Sequence, residues 1–547
     1  MPDSTTERKL LGAYYTEADT ADAIVRLALE RAEQRVLDPC FGGCAFLEAV
    51  RNRMSSLGSS KPMRNVFGVD VDRGAKKYLE SVRGARAQQF LFEDFLRVEP
   101  DAFGTPFDLV LGNPPFVRHH LLPTKTVTRA QASLPDIDIP KTADSWLYFF
   151  HHSLRFLKRG GSLAMVLPGS LLNAAYAHSA RQVIATEFAS SQLFLVRRRL
   201  FADALESPVI VIARGYGEPA KSCRLSIVDT PQEIRAIEAS EGRLVDLTER
   251  TGPWRLALLP EAARAAFSAV TRRNDVSQLG ELATIHIGVV TGANDFFTMT
   301  KAQAGSRGIS DAVLRPILTT TKQFSGLEAT ATSMRTLLDR GERALLLDTN
   351  GARSSVALSA YLNSGDARTA QTAFKCRDRA VWHELDDLDV PDAFLSYVVD
   401  RAPRLVVNRT SALCTNAIHR VWWRSTTSLA GRQAHALALT SSLGGLSAEI
   451  YGRVAGGGAL KLEPGEAAAL WMPTSVRGAA RVASAFVWAS KAVAAGDWQK
   501  ARQIADRAVL EQELRLSETE AHAIRDGHDA LLATRFSLAA RATKRTV

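Results

Sequence analysis

Residues 107–116 read FDLVLGNPPF, and this stretch decides the fold of the first half of the chain. An apolar run of the length of a buried β-strand ends at Gly112, and Asn113 and two prolines follow it. Proline fixes φ and lacks an N–H donor, so a central strand cannot continue through Pro114 and Pro115. The stretch therefore predicts a buried strand that ends in a rigid turn, with the aromatic Phe116 directly after the turn.

Similar apolar runs recur on both sides of this strand, at residues 35–37, 66–69, 162–167 and 209–213. Helical stretches at residues 18–30, 74–82 and 146–158 lie between them, and we expect the last helix to end at a glycine cap formed by Gly160 and Gly161. Alternation of strands and helices is the pattern of a parallel sheet covered by helices. The first half is therefore predicted to be a doubly wound, mostly parallel α/β sheet.

The composition is that of a folded protein with a mild excess of positive charge. The chain has 547 residues, 46% hydrophobic and 23% charged, with a net charge of +10. This composition excludes a disordered or collagen-like chain, and no run of ~18 apolar residues predicts a membrane span. Five scattered cysteines and the absence of a secretory signal favour a cytoplasmic enzyme without disulfides or a structural metal. The charge permits a polyanionic partner without establishing one.

A glycine turn follows the first strand, in the segment LDPCFGGCAFL at residues 37–47. Small residues at Gly42 and Gly43 allow the backbone to approach a ligand, although glycine turns after strands are common without any ligand. The segment lacks both Gly-x-Gly-x-x-Gly and the Lys-Ser/Thr of a phosphate-binding loop, so a pyrophosphate ligand is disfavoured.

Acidic residues follow the next two strands. Asp70 comes directly after its apolar run and could accept hydrogen bonds from both hydroxyls of a ribose. Asp94 could accept from an exocyclic amino group, with Phe95 packing on a purine face. Each acid taken alone is better explained as a helix cap or a residue of a solvated turn. Because the acids follow successive strands, whose carboxyl ends meet at one edge of the sheet, a ligand site is favoured.

Asn113 and the two prolines carry the strongest functional signal. The turn is expected to hold the carbonyls of Asn113 and Pro114 facing outward, where they and the Asn113 side-chain oxygen can accept hydrogen bonds from an amino group. Phe116 then offers a stacking face.

This order of motifs resembles the class I S-adenosylmethionine-dependent methyltransferases, and more closely the gamma-class adenine-N6 DNA methyltransferases of restriction–modification systems. The resemblance implies a Rossmann-like catalytic domain at residues 1–245 and an α+β DNA target-recognition domain with a helical C-terminal segment at residues 246–547. It assigns S-adenosylmethionine binding to Thr16, Asp38, Gly42, Asp70, Asp94, Phe95 and Phe149 or Phe150. It assigns catalysis to Asn113, Pro114, Pro115 and Phe116, with Phe116 and Phe201 stacking on the target base.

One residue departs from the family pattern. The glycine loop of the family ends in glycine, whereas this chain has Cys44, whose side chain could alter the fit of the cofactor.

The C-terminal half also resembles the family, at residues 287–297, 374–382 and 449–462. Asn408, Arg409, Asn416 and His419 lie in a polar stretch and are candidate DNA contacts. Ser517 and Glu520 have the spacing of a helix capping box.

The resemblance implies methylation of adenine N6 in double-stranded DNA by base flipping. It also implies that the enzyme acts as a monomer in the bacterial cytoplasm, at the nucleoid. Any cognate restriction endonuclease would be a separate chain. Two alternatives stay open. The same catalytic motif serves methyltransferases that act on RNA or on protein glutamine, and the chain could instead be a catalytically silent DNA-specificity subunit.

Overall fold

The computed structural model describes residues 16–122, 124–141, 143–196, 208–237, 241–245, 253–351, 355–454, 458–474 and 478–543. The chain divides into two compact units. The first comprises Met1–Leu258 with Arg453–Gly458 and Ala533–Val547, and the second comprises Leu259–Gly452 with Ala459–Leu532.

The first unit is built on a nine-stranded sheet of order β3-β2-β1-β4-β5-β7-β6-β8-β9. Its strands are β1 (Val36–Asp38), β2 (Val66–Val69), β3 (Phe90–Leu91), β4 (Phe107–Gly112), β5 (Leu157–Pro168), β6 (Phe188–Val196), β7 (Pro208–Tyr216), β8 (Ser222–Val228) and β9 (Arg243–Leu244). The strands share one direction except β7 and β9, which are antiparallel to their neighbours. The predicted mostly parallel sheet is confirmed.

Helices cover the sheet of the first unit. They are α1 (Ala18–Ala28), α2 (Ala45–Ser56), α3 (Lys76–Leu79), α4 (Thr124–Ala132), α5 (Ser145–Leu154) and α6 (His178–Thr186). In β4, Leu109 and Leu111 join one hydrophobic core with residues of α1 and α2. Val110 points to the other face and is equally buried, at 0% exposure. Because neighbouring strand residues point to opposite faces, both faces of the sheet are covered, as the doubly wound prediction requires.

The helix expected over residues 146–158 is shorter than the sequence suggested. It ends at Leu154, and β5 already begins at Leu157. Gly160 and Gly161 therefore lie within the strand, where the pairing of β4 with β5 shifts register, and do not cap a helix. The predicted cap is wrong because Leu157 pairs with Phe107 of the neighbouring strand, a long-range contact that local helix propensity does not reveal.

The second unit contains small, largely antiparallel sheets and short helices. After β9, the strands in chain order are β10 (Val276–Gln278), β11 (Ala283–Ile287), β12 (Thr298–Met299), β13 (Leu314–Leu318), β14 (Glu328–Ala329), β15 (Leu345–Leu347), β16 (Ala393–Ser396), β17 (Val398–Val399), β18 (Leu405–Asn408), β19 (Leu413–Cys414), β20 (Ile418–Trp423), β21 (Arg453–Val454), β22 (Leu460–Lys461) and β23 (Trp471–Pro473). Strand β21 belongs to the first unit. The larger sheets have the orders β11-β20-β16-β18-β14 and β12-β15-β13-β19. The predicted α+β architecture is confirmed.

Helices begin throughout the second unit, and the last of them continues into residues of the first unit from Ala533 onward. They are α7 (Glu261–Thr271), α8 (Leu279–Leu282), α9 (Asn294–Phe297), α10 (Lys301–Ser306), α11 (Ala331–Asp339), α12 (Val356–Leu362), α13 (Gly365–Gln371), α14 (Phe374–Arg377), α15 (Leu429–Thr440), α16 (Ser442–Tyr451), α17 (Pro464–Ala468), α18 (Ala479–Ala494), α19 (Trp498–Asp506) and α20 (Glu518–Thr543). The predicted capping box precedes α20, since Glu520 N–H donates to Ser517 Oγ at 3.3 Å and Ser517 N–H donates to the Glu520 carboxylate at 2.9 Å. Within the described part of the chain, no helix is both long and apolar enough to cross a membrane.

Candidate active site at the edge of the parallel sheet

Four parallel strands of the first unit end side by side at one edge of its sheet, in the order β3-β2-β1-β4. Asp38 is the last residue of β1, Asp70 follows β2, and Asn113 follows β4. Asp94 lies three residues after β3. Open parallel sheets bind their ligands beyond the carboxyl ends of the strands. The structure brings the predicted residues of these four strands to such an edge.

Asp70 ties the glycine loop between β1 and α2 to the neighbouring strand. Its Oδ2 accepts a hydrogen bond from Gly42 N–H at 2.7 Å, and its Oδ1 accepts from Asp72 N–H at 2.8 Å. Burial raises the pKa of Asp70 above its ordinary value, against the lowering effect of these two donors. Because each carboxylate oxygen has two lone pairs, Asp70 can accept hydrogen bonds from ligand hydroxyls as well.

Cys44 adopts the backbone conformation that glycine would adopt at the end of this loop. Its φ is 66°, in the left-handed region, which costs about 1–2 kcal/mol for a residue with a Cβ. The side chain is buried within the core that α1 and α2 share, and burial raises the pKa of its thiol to about 12. The thiol is therefore protonated at neutral pH and acts as a small apolar group. The glycine-type turn is kept in spite of the substitution.

Asp38 is 1% exposed, and its two oxygens differ in their surroundings. Oδ1 accepts a hydrogen bond from Cys40 N–H at 3.1 Å, whereas Oδ2 is buried with no hydrogen-bond partner among the described residues. Burial raises the pKa of Asp38 to about 8, with a smaller contribution from the charge of Asp70. The carboxyl is therefore largely protonated at neutral pH.

The Asn113 turn lies directly against the glycine loop. The Cys40 thiol donates a hydrogen bond to the main-chain carbonyl of Asn113, with 3.2 Å between Sγ and O. A Cβ at Gly112 would lie 3.0 Å from Asp38 Oδ1, so only glycine allows this approach without displacing a neighbour. Cys40 takes up one of the two lone pairs of the Asn113 carbonyl, and the expectation that this carbonyl also faces a ligand stays a prediction. The Asn113 side chain and the Pro114 carbonyl are likewise assigned to the ligand.

Ser145, the first residue of α5, contacts the backbone on both sides of Phe116. Its hydroxyl donates to the Pro115 carbonyl and accepts from Val117 N–H at 2.8 Å. Its own N–H donates to the Val117 carbonyl at 2.9 Å. No role could be assigned to Ser145 from the sequence, because its contacts with the turn span about 30 positions.

Asp144, the residue before Ser145, also bonds to the segment after the turn, and a tyrosine hydroxyl in turn bonds to Asp144. Its Oδ1 accepts from His119 N–H at 3.0 Å, and its Oδ2 accepts from the Tyr176 hydroxyl at 2.9 Å. Trp146 Nε1 donates to the same hydroxyl at 3.2 Å. An acidic residue directly before a helix is a recognisable capping signal, so Asp144 could have been found from the sequence, whereas Tyr176 has no such signal.

Phe95 and Phe149 belong to an aromatic cluster beside β3. The Phe95 ring lies 5.7 Å from that of Phe149, 4.8 Å from His152 and 5.1 Å from Phe156, and it is 2% exposed. Phe149 is half-buried, whereas Phe150 is fully buried. Phe149 is therefore the ring with surface available to a ligand, and Phe95 supports it from behind.

The positions of Asp94, Thr16 and Phe201 are less informative. Asp94 caps the short helical turn that follows it, since its Oδ1 accepts from Leu96 N–H at 3.1 Å. Thr16 lies half-buried, two residues before α1. Phe201 lies outside the described residues.

Two candidate DNA contacts in the second unit are structural instead. Asn408 is buried, and its Nδ2 donates to the carbonyls of Pro391 and Ala412 at 2.9 and 3.1 Å. His419 is 0% exposed and its Nε2 lies at hydrogen-bond distance from the Leu462 carbonyl. The expectation that these two side chains contact DNA is wrong, because the sheet of β18 and β20 buries them. Arg409 and Asn416 are exposed.

Two of the C-terminal segments singled out in the sequence contact each other. Arg379 of residues 374–382 donates to the carbonyls of Thr291 and Val290 at 2.9 and 2.5 Å. Phe296 of residues 287–297 packs 5.3 Å from Trp382. A cleft with both basic and acidic walls lies alongside these segments, with Arg379, Arg420 and Glu384 among its lining residues.

Neither a disulfide nor a grouped set of metal ligands occurs among the residues whose side chains are described. The five cysteines, all in described positions, are free of disulfides. Among the residues with described side chains, no three His, Cys, Asp or Glu side chains are grouped to hold a metal ion.

Two family models match the chain. Residues 80–201 match the Eco57I restriction-modification methylase family, and residues 251–510 match the C-terminal domain of the type II methyltransferase M.Eco57I. The first match includes the Asn113 turn and Ser145, and the second lies in the C-terminal half.

The chain is also similar in sequence to curated methyltransferases and similar in fold to a solved structure. The chain is 23% identical to the type II methyltransferase M.XamI of Xanthomonas campestris pv. amaranthicola, over 85% of each chain. It is 19% identical to the type II methyltransferase M.AccI of Acinetobacter calcoaceticus, over 70% of each chain. Its fold is similar to that of the type IIL restriction-modification enzyme MmeI, solved with DNA, with a TM-score of 0.56, 12% identity, and coverage of 94% of this chain and 75% of the other.

Proposed function

We propose that this chain, a restriction–modification DNA methyltransferase of the Eco57I type, transfers a methyl group from S-adenosylmethionine to the N6 amino group of an adenine in double-stranded DNA. The observation that carries the proposal is the turn from Asn113 to Phe116, which follows β4 and is bonded to the glycine loop. This turn combines neutral oxygen acceptors with an aromatic ring. Neutral acceptors suit an uncharged exocyclic amino group, and the ring suits a planar base.

The donor set at the sheet edge fits the cofactor. Bound S-adenosylmethionine supplies an electrophilic methyl group on its sulfonium sulfur. Asp70 has lone pairs for both ribose hydroxyls, Asp94 can accept from the purine amino group, and Phe149 offers a half-buried face for the purine ring. The proposed set is completed by two residues that shape the glycine loop, Asp38 and Gly42. Phe95 supports Phe149, and Thr16 is assigned a place near the methionine part of the cofactor.

The catalytic residues act on the amino group through hydrogen bonds. An adenine inside the duplex must be extruded before its N6 is accessible. Phe116 and Phe201 hold the extruded ring between them, and stacking of this kind contributes about 1–3 kcal/mol per base. The Asn113 side-chain oxygen and the Pro114 carbonyl accept the two N6 hydrogens, which draws the nitrogen lone pair out of conjugation with the ring. No carboxylate base is required, because the amino group becomes acidic as it is methylated and the proton that it then loses passes to water.

DNA recognition is assigned to the C-terminal part of the chain. We divide the chain into a catalytic domain at residues 1–245 and a target-recognition domain at residues 246–547, which is supported by the C-terminal family match to residues 251–510. The net charge of +10 favours a polyanionic partner. The enzyme is proposed to act as a monomer on bacterial DNA in the cytoplasm, at the nucleoid, with any cognate restriction endonuclease on a separate chain.

The test combines DNA sequencing with one variant pair. The full chain is expressed in a host that lacks its own adenine methylation, and the host DNA is read by single-molecule sequencing. We expect N6-methyladenine at one recurrent sequence, and we expect its complete loss in Asn113→Ala. The matched control is Asn52→Ala, which removes an exposed side chain on α2 of the same unit.

The readouts separate catalysis from cofactor binding. The dissociation constant of S-adenosylmethionine, measured by calorimetry, should be unchanged in Asn113→Ala, because Asn113 is assigned to the base and not to the cofactor. Full methylation by Asn113→Ala would refute the assigned mechanism. Absence of N6-methyladenine with the unmodified chain, or methylation of RNA or protein instead, would refute the proposed substrate.

A further inference from the structure

The backbone at Phe116 is held from both sides by one side chain. The Pro115 carbonyl belongs to the peptide group that precedes Phe116, and Val117 N–H belongs to the peptide group that follows it. The Ser145 hydroxyl donates to the first and accepts from the second. Since the two peptide planes flanking a residue define its φ and ψ, the Ser145 hydroxyl, by bridging these two peptide groups, restrains the backbone conformation of Phe116.

Further hydrogen bonds make this contact rigid. Ser145 N–H donates to the Val117 carbonyl at 2.9 Å, and His119 N–H donates to Asp144 Oδ1 at 3.0 Å. Ser145 is 5% exposed, so water competes little for these bonds. The hydroxyl donates its hydrogen and accepts one as well, so substitution by alanine leaves both the Pro115 carbonyl and Val117 N–H without this partner.

We propose that Ser145 is a positioning residue for methyl transfer, which orients Phe116 to stack on the extruded base. The inference rests on the proposed function and adds to it a residue to which neither the sequence nor the family match assigns a role. Ser145 acts through the Phe116 backbone and is not assigned to base or cofactor. Its removal should therefore change the placement of the target base while cofactor binding is kept.

The turn from Asn113 to Phe116 is held by a hydrogen bond at each of its ends. Cys40 bonds the Asn113 carbonyl on the side of the glycine loop, and Ser145 bonds the segment after Pro115 on the side of α5. The proposed acceptors and the stacking ring lie between these two attachments. Both attachments restrain the backbone that carries these groups.

The experiment compares four forms of the full chain: the unmodified enzyme, Ser145→Ala, Ser145→Thr and Ser153→Ala. Ser153 lies on the same helix, is 0% exposed, and its hydroxyl has no hydrogen-bond partner among the described residues, so its substitution controls for loss of a buried hydroxyl. The substrate is a duplex with the target sequence found by sequencing. A second duplex carries 2-aminopurine in place of the target adenine, to report base extrusion by fluorescence.

We expect kcat of Ser145→Ala to fall about 10- to 100-fold, the cost of misplacing a reacting group by about 1 Å. The 2-aminopurine signal on binding should fall as well, while the KM and dissociation constant for S-adenosylmethionine stay within about twofold. Ser145→Thr retains a hydroxyl and should recover most of the loss, and Ser153→Ala should match the unmodified enzyme. Ser145→Cys, which is close in size but a weak donor, provides the same comparison if the alanine variant does not fold.

The outcomes distinguish the two levels of the proposal. If the unmodified enzyme methylates DNA and Ser145→Ala keeps the same kcat and fluorescence signal, the positioning role is refuted and the proposed function stands. An equal loss in Ser153→Ala would also refute it, because the effect would then be one of helix stability. If the unmodified enzyme methylates no DNA, the proposed function itself is refuted, and this inference with it.

Discussion

Without ligand, the free energy of unfolding should fall as the pH rises from about 4 to 8, because buried Asp38 must then lose its proton. Replacing Asp38 by asparagine should remove this loss of stability. The carboxyl is 1% exposed with one oxygen unbonded, and burial raises its pKa to about 8, against about 3.9 in an unfolded chain. Between these values the folded state keeps a proton that the unfolded state releases. The stabilisation is thus complete below about pH 4 and is lost as the pH rises toward 8.

The magnitude follows from the retained proton. A difference of one bound proton changes the free energy of unfolding by about 1.4 kcal/mol for each pH unit, or about 3 kcal/mol between pH 5 and pH 7. Asparagine has nearly the same shape and does not titrate, so Asp38→Asn lacks this loss. Burial also raises the pKa of Asp70, but that contribution is present in both proteins and largely cancels in the difference.

Hydrogen exchange measured by mass spectrometry gives the unfolding free energy of peptides that cover β1 and β4, and so reports on the first unit. The stability of Asp38→Asn relative to the unmodified protein should rise by about 3 kcal/mol from pH 5 to pH 7. Asp108→Asn is the contrasting variant. Burial acts to raise the pKa of Asp108, but Lys158 and Arg35 N–H outweigh it, so this pKa is lowered and the variant should show no such trend above pH 5. An equally flat difference for Asp38→Asn would show that Asp38 is already ionised in the folded protein.

Substitutions at three further positions test the loop and its neighbours. Cys40→Ala should lower kcat about tenfold, because it removes the hydrogen bond to the Asn113 carbonyl. Cys40→Ser keeps a hydrogen-bond donor and should lower kcat less. Steady-state kinetics in which the serine variant is the slower of the two would contradict a role for this hydrogen bond. Cys44→Gly should bind S-adenosylmethionine within about twofold of the unmodified chain in calorimetry, because Cys44 already has φ 66°, and a tenfold change would disprove this. Asp70→Ala should weaken the same binding at least tenfold and lower the free energy of unfolding by about 1–2 kcal/mol in urea titrations, since two part-buried hydrogen bonds from Gly42 N–H and Asp72 N–H are lost.

Much of the first unit could be predicted from local sequence. A few adjacent residues are enough to predict the strands at residues 66–69 and 107–111, the turn at Pro114 and the acids after successive strands. Because parallel strands end at the same edge of a sheet, these acids and the turn are then expected to lie at one edge. The end of α5 could not be predicted, because Leu157 pairs with β4 across the sheet. Asn408 and His419 were misjudged for a related reason, since whether a polar side chain is buried depends on strands distant in sequence.

The sequence by itself determined which chemical groups are present and their order along the chain: an acid after each of two strands, a glycine turn, and an amide followed by two prolines and a phenylalanine. Only the tertiary structure decided how these groups are held. Cys40 meets the Asn113 carbonyl across 73 positions, Ser145 brackets Phe116 from a helix about 30 positions away, and Asp38 is buried partly because β4 brings Gly112 against it. The physical reason is that hydrogen bonding and desolvation depend on spatial neighbours, and local sequence patterns do not specify which distant segments become neighbours.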